Sequence, residues 1–374
     1  MAAGVRAAGR DAASIVRLPL SDGGDGLLDA IAALAPSARR RAVRVTGPSG
    51  DEVRAEYLSD GPRSILESAR ACGLRLVPPA RRDPLTATSF GVGELILAAG
   101  PGPLVLGLGG SATVDGGAGM ARALGWRLLD GAGRPVPPGG GGLRSLRRVV
   151  PPDGADGGGA TGATGWGGTG AGDRGGTGAT GWLAATGGTR ERKMVALADV
   201  RAPLLGAAGA AREFGPQKGA DAAAVLALEE GLSVLAERLR ADLGVDVAAL
   251  PGTGAAGGLG AGAIAFLGAR LVAGSEWMLD EARFDARLAR ASLVVTGEGA
   301  YDGQSGMGKI VGSVVDRAVL AGVPAVVIAG RAAAPDRPGV LVRAGGGRRL
   351  HATDLARLTA GALAEMTAGG GAGD

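Results

Sequence analysis

Three apolar runs in this chain end in glycine-rich polar loops, and that pattern constrains the fold more than any other feature. Ser14 to Leu20 leads into Ser21-Asp22-Gly23-Gly24-Asp25-Gly26. Leu104-Val105-Leu106-Gly107-Leu108 leads into Gly109-Gly110-Ser111-Ala112-Thr113-Val114-Asp115-Gly116-Gly117. Ala291-Ser292-Leu293-Val294-Val295 leads into a loop running from Thr296 to Lys309. Each run has the length and composition of a buried strand. After the first loop, Leu27, Leu28, Ile31 and Leu34 recur at helical spacing, and a helix runs through Leu124 after the second. Strand, loop and helix in that order predict an α/β protein, whose ligands bind at the C-terminal ends of its strands.

The third loop carries the densest chemistry. Gly297, Glu298, Asp302, Gln304 and Lys309 sit among glycines. Glycine lets backbone approach a phosphate, lysine can hold it, and the acids can bind Mg²⁺ or take a proton. The chain has only three lysines among its 40 basic residues, at positions 193, 218 and 309. Gly303 to Lys309 fits the spacing of a P-loop, but Ile310 stands where the Mg²⁺-binding Ser or Thr belongs. The preceding strand also ends well before Gly303, which argues for a phosphate-handling loop of another kind.

The other two loops have competing readings. Asp22 and Asp25 suit a solvated turn, yet their strand-to-helix position is that of an active-site loop. Ser111, Thr113 and Asp115 either serve a ligand, with Gly109 and Gly110 offering backbone N–H groups, or cap the following helix. Arg212 to Gly219 forms a compact polar loop around Lys218, or the approach to a long amphipathic helix over Asp221 to Leu243. That helix is apolar at Val225, Leu228, Leu232, Leu235 and Leu239.

Further strands are expected over Arg41–Thr46, Arg54–Leu58, Ser64–Leu66 and Met194–Ala198, with a turn at Gly47-Pro48-Ser49-Gly50. A helix is expected over Glu94–Ala99. Residues 151–190 are almost wholly Gly, Ala, Thr and Asp, and Gly-Ala-Thr-Gly-Trp occurs twice there. Such a segment has too little apolar surface to offset its ordering entropy and reads as a disordered insertion. Gly116–Leu129 aligns without gaps to Leu259–Val272. The echo reads either as two related anion-binding helix N-termini or as convergence in an Ala/Gly-rich chain.

Composition narrows the chemistry. The single Cys72 excludes an intramolecular disulfide and fits a reducing cytoplasm. One cysteine and one histidine, His351, leave no zinc site and no Ser-His-Asp triad, so acid–base work falls to carboxylates and lysines. Net charge is +4, but the arginines are scattered and not interleaved with aromatics, which argues against nucleic acid. No apolar run reaches the ~20 residues of a membrane span. The reading leaves a homodimer open.

Taken together, seven motifs in one order resemble the bacterial glycerate kinase family. They are Pro19-Leu20-Ser21-Asp22-Gly23-Gly24-Asp25-Gly26; Arg82-Asp83-Pro84 with Thr88-Ser89-Phe90-Gly91-Val92-Gly93-Glu94; and Gly107 to Gly119. Phe214-Gly215-Pro216-Gln217-Lys218-Gly219, Gly254-Ala255-Ala256-Gly257-Gly258, Thr296-Gly297-Glu298-Gly299, and Asp302 with Gln304 and Gly308-Lys309 complete the set. The resemblance spans roughly residues 15–330 outside the insertion. It implies transfer of the γ-phosphate of ATP to D-glycerate with Mg²⁺, leaning towards the 2-hydroxyl. It also implies two α/β domains, one flavodoxin-like, enclosing a cleft and unrelated to P-loop kinases. The expected domains are residues 1–60 with 285–374, and residues 61–284.

On that resemblance Asp22, Asp199, Asp302 and Lys309 are the catalytic candidates. Ser111, Thr113, Lys218, Gly109, Gly110, Gly297 and Glu298 are the phosphate- or substrate-binding candidates, and Asp22 with Asp302 the Mg²⁺ ligands. Three departures stand out. On the resemblance the chain is expected to begin after the family's first strand and its Asp-Ser-Phe-Lys-like loop, with Met1–Ala13 as the following helix. The family's Asp-Val-x-Asn-Pro-Leu reads Asp199-Val200-Arg201-Ala202-Pro203-Leu204 here, so the Asn is lost. The segment after Gly330 is short and degenerate. A catalytically impaired kinase-like binding protein is therefore the alternative expectation.

Overall fold

The computed structural model describes residues 1–9, 14–152, 193–301, 309–333, 336, 338–347 and 350–369. The chain forms two compact units, residues 21–274 and residues 1–20 with 275–374.

The larger unit is built on a mixed sheet. β1 (Arg39–Thr46) and β2 (Glu52–Asp60) pair antiparallel across the predicted turn, and β3 (Arg63–Glu67) pairs antiparallel to β2. From β3 onward the sheet is parallel through β4 (Leu104–Gly107). A small antiparallel pair, β5 (Arg127–Leu129) and β6 (Arg148–Val150), stands apart. β7 (Met194–Leu197) and β8 (Arg270–Val272) complete the main sheet in the order β1-β2-β3-β4-β7-β8. Every residue of β4 is buried. A strand covered on both faces needs an apolar or small residue at every position, which Leu-Val-Leu-Gly supplies.

Helices Phe90–Ala98, Ala118–Ala123, Ala222–Leu243 and Ala255–Leu267 pack around this sheet in one core. The long helix starts where Asp221 accepts the Ala224 N–H at 2.8 Å and stops at Gly244, whose φ is +71°. Leu228, Leu232, Leu235 and Leu239 are buried as their spacing predicts. Trp126 and Phe266 meet edge to face with ring centroids 5.1 Å apart. Each lies in one half of the sequence echo. In both halves of that echo a helix leads into a short strand, β5 or β8. Gly117 and Gly262 face each other, so that a Cβ on Gly117 would come within 3.0 Å of the Gly262 Cα. These glycines are therefore used for helix-to-helix approach.

The smaller unit has three parallel strands, β9 (Val294–Tyr301), β10 (Ala325–Ala332) and β11 (Val340–Ala344), in the order β11-β10-β9. β10 alternates between two cores. Ala325, Val327 and Ala329 join Val311, Val314 and Val315 of helix Ile310–Leu320. Val326 and Ile328 join Ala362 and Leu363 of helix Ala352–Gly369. The period of two places helices on both faces of the sheet.

Four expectations differ from the structure. Ser14–Leu20 is not a strand: it pairs with neither sheet, and Leu18 and Leu20 pack onto the core of the smaller unit instead. Thr296–Tyr301, read as loop, continues β9, because its backbone pairs with β10 as far as Ala332. Residues 21–60, grouped by sequence with the C-terminal segment, pack with the larger unit, where β2 pairs with β3. Residues 275–284 pack with the smaller one. The N-terminal helix covers Ala2–Ala7, while residues 10–13 of the expected helix lie outside the described residues. The expected insertion lies, from residue 153 on, outside the described residues.

Candidate active site

Strands β3, β4, β7 and β8 run parallel, so their C-terminal ends share one edge of the sheet. The loop at residues 21–26 crosses that edge. Gly23, at φ +88°, lies so close to β7 that an added Cβ would stand 2.7 Å from the Leu197 Cβ. Only glycine accepts both that φ and that approach. The crossing brings the loop against the Gly109 loop: a Cβ on Gly109 would fall 2.9 Å from the Gly24 Cα, and one on Gly110 2.9 Å from Asp25 Oδ1. Asp22 is exposed, and its Oδ1 accepts the Gly24 N–H at 3.0 Å. Asp25 is paired with Arg75 at 3.1 Å. Asp199, half-buried, follows the end of β7 on the same edge.

Behind these loops lies a buried polar network. Asp115 is fully buried, and its Oδ2 accepts from the Ser89 N–H and hydroxyl, each at 2.8 Å, and from the Gly119 N–H at 3.1 Å. Its Oδ1 accepts the Gly117 N–H at 3.2 Å. Ser89 Oγ in turn accepts the Met120 N–H at 3.0 Å. One carboxylate thus joins the N-termini of helices Phe90–Ala98 and Ala118–Ala123. Burial pushes the Asp115 pKa up, while the hydrogen bonds from Ser89, Gly119 and Gly117 pull it down.

Lys218 is 2% exposed, in a single 3₁₀ turn at Pro216–Lys218. Its Nζ donates to Ser111 Oγ at 2.9 Å and to the Thr113 carbonyl at 2.7 Å. Burial brings its pKa down to about 8, with the charges of Cys72 and Asp115 opposing the fall. Cys72 is pushed up to about 12, first by burial and then by Asp115, with Lys218 and the Thr113 hydroxyl opposing. Lys218 therefore braces the middle of the Gly109–Gly117 loop from inside the fold. Ser111 and Thr113 are buried with it.

In the smaller unit, Gly297 and Glu298 lie in β9, opposite Ile328 and Ala329 of β10. Lys309 is exposed and precedes helix Ile310–Leu320 with φ −76° and ψ 153°. Asp302 and Gln304 lie outside the described residues. The structure thus joins Asp22, Gly109 and Gly110 on one edge, with Asp199 beside them, and places Ser111, Thr113 and Lys218 together in the layer beneath.

Sequence reasoning missed part of this machinery. Ser89 sits in the Thr88–Glu94 motif with nothing local to mark its role, and its tie to Asp115 spans 26 positions. Glu67 was not singled out. It is 2% exposed, accepts the Leu28 N–H at 2.8 Å and Arg70 Nε at 2.7 Å, and so fixes the helix after the Asp22 loop. No local pattern marks a buried acid at the end of a strand.

Comparison with known proteins identifies the family. The glycerate kinase family profile matches residues 1–156 and 184–340. The chain belongs to the glycerate kinase family. It is 40% identical over 318 residues to a glycerate kinase of Halalkalibacterium halodurans, covering 84% of this chain and 75% of that one. It is 39% identical over 324 residues to the glycerate 2-kinase of Escherichia coli K12, covering 85% and 76%. A crystal structure of a candidate glycerate kinase 2 from Salmonella typhimurium LT2 superposes with a TM-score of 0.74 at 36% identity, covering 98% of this chain and 92% of that one. The enzyme class and the α/β fold expected from the motifs both hold. Among the described residues, no helix is long and apolar enough to cross a membrane. No group of three or more His, Cys, Asp or Glu side chains among them could hold a metal ion.

Proposed function

We propose that this chain transfers the γ-phosphoryl group of ATP to D-glycerate in the cytoplasm, with the 2-hydroxyl as acceptor. The observation that carries the reading is the meeting of the Asp22 loop and the Gly109 loop at the C-terminal edge of the sheet, braced from beneath by Lys218 and Asp115. Phosphoryl transfer asks for positioning and charge compensation more than for covalent chemistry. A braced glycine loop suits phosphate oxygens, because its backbone reaches them without reorganising. In this role Lys218 acts through the loop and does not touch the ligand.

Magnesium in such enzymes is commonly held by one or two carboxylates together with phosphate oxygens and water. Asp22 fits that need: it is exposed, and Gly24 engages only one of its oxygens. Asp22 would hold the ion on this unit, which when bound neutralises phosphate charge. Asp199 would accept the proton of the attacking hydroxyl at its carboxylate. In the other unit, Lys309 offers an exposed cation ahead of a helix N-terminus, a setting that suits a phosphate. The loss of the family Asn at Ala202 motivates a kinase-like protein without turnover. The names of the relatives support the active enzyme over it.

A steady-state assay with ATP, Mg²⁺ and D-glycerate, with phosphorus NMR of the product, tests the reading. The expected product is 2-phosphoglycerate at enzymatic rates. ATP and glycerate left unconverted by a folded preparation would overturn it.

A further inference from the structure

A cavity of about 270 Å³ lies in the larger unit, with neither Asp22 nor Asp199 in its lining. Arg81, Arg82, Asp83, Thr86 and Thr88 line it, and Ala112 in the middle of the Gly109–Gly117 loop forms part of its wall. Its charges are unbalanced in a specific way. The Asp83 carboxylate is already engaged, accepting the Leu85 N–H at 3.0 Å and the Thr86 hydroxyl at 2.8 Å. Arg81 is exposed and makes no side-chain hydrogen bond or ion pair among the described residues. Arg82 is held by one bond, from its NH1 to the Gln217 carbonyl at 3.3 Å, while its buried Nε has no partner. A buried donor left unpaired is costly, and a guanidinium fork matches a carboxylate in two parallel bonds.

We propose that this cavity is a subsite for a small organic carboxylate, held by Arg81 and Arg82. Its volume falls just below the range typical of drug-sized ligands, about 300–1,000 Å³, so it suits an acid of a few carbons. Its place in the fold links it to the phosphate-handling layer. Arg82 binds the carbonyl of Gln217, the residue before Lys218, and Lys218 grips the two neighbours of Ala112. An acid bound here bears on the same loop that Lys218 braces. Only the identity of the acid as D-glycerate rests on the proposed kinase reading.

Calorimetry without nucleotide tests the subsite, using D-glycerate and malonate, a dicarboxylate with no hydroxyl to phosphorylate. The variants are Arg81→Gln and Arg82→Gln, each checked by thermal melting. The Arg81 side chain has no hydrogen bond or ion pair to lose among the described residues, so that variant remains decisive even where Arg82→Gln unfolds. We expect at least a tenfold loss of affinity for both probes, and a matching rise in KM for glycerate with KM for ATP within twofold. Malonate binding that disappears in Arg81→Gln upholds the subsite even if the protein transfers no phosphate. Transfer to glycerate with an unchanged KM in Arg81→Gln, or a wild type that binds neither probe, overturns it.

Discussion

Lys218 and Lys309 are two of only three lysines in the chain, and both sit in glycine-rich motifs, yet their surroundings are opposite. Lys218 is sealed in the larger unit with two hydrogen bonds and a pKa drawn down to about 8. Lys309 is exposed ahead of a helix N-terminus and makes no side-chain bond among the described residues. The contrast teaches that a rare residue in a conspicuous motif can serve by bracing or by touching a ligand. Burial separates the two, and sequence spacing does not.

The strongest way to break the contrast is to remove what the Lys218 layer stands on. Asp115→Ala leaves three backbone N–H groups and the Ser89 hydroxyl without their acceptor. At roughly 1–3 kcal/mol for each buried group left unpaired, the loss should exceed about 3 kcal/mol even after partial relaxation. Urea denaturation measures it. A loss under 1 kcal/mol would mean that the network is not holding the two helix N-termini.

The next test uses pH. Lys218 has an ordinary value of 10.5 and about 8 in the fold. Between those values the unfolded chain keeps a proton that the folded chain has released, so stability rises with pH. Below about 8 both states are charged, and the cost of the buried ammonium is present in full. The gap corresponds to about 3 kcal/mol when complete. Cys72 works in the opposite sense, since its thiol is held up at about 12 while the unfolded thiol ionises from 9.0 upward. In a Cys72→Ala background, stability should therefore climb from pH 8 to pH 10 by roughly 2 kcal/mol, and Lys218→Met should abolish the climb. A flat profile with Lys218 present would show that the ammonium is not desolvated.

How far the sequence reveals these features follows from their range. The strands β3, β4 and β7 and the helix Ala222–Leu243 are legible because each depends on its own residues: an unbroken apolar run, or apolar positions three and four apart with Asp221 and Gly244 at the ends. The extension of β9 through Tyr301 is not legible, because Gly-Glu-Gly reads as loop until β10 is there to pair with it. The meeting of the Asp22 and Gly109 loops follows from strand order. Motif order pointed to both loops, but nothing local placed Gly24 against Gly109. Lys218 was found by its rarity. That its partners would be Ser111 and Thr113, more than a hundred residues earlier, required the fold.

The smallest expected effect on stability belongs to Lys309→Ala. The side chain is exposed and bonds nothing among the described residues, so its removal should change stability by less than about 0.5 kcal/mol. The sign should even favour the variant. A cation at a helix N-terminus opposes the helix dipole, at a cost of some tenths of a kcal/mol at low salt. A lysine kept where it mildly destabilises its own helix is best accounted for by a bound anion, and phosphate is the anion this chemistry supplies. Lys309→Ala should therefore melt at or slightly above the wild-type temperature while losing at least about tenfold in kcat/KM for ATP, or 1.4 kcal/mol of transition-state binding. Lys218→Met should lose both stability and rate. If Lys309→Ala instead lowers the melting temperature as far as Lys218→Met does, both lysines are struts. If it leaves kcat/KM intact, the phosphate contact lies elsewhere in the chain.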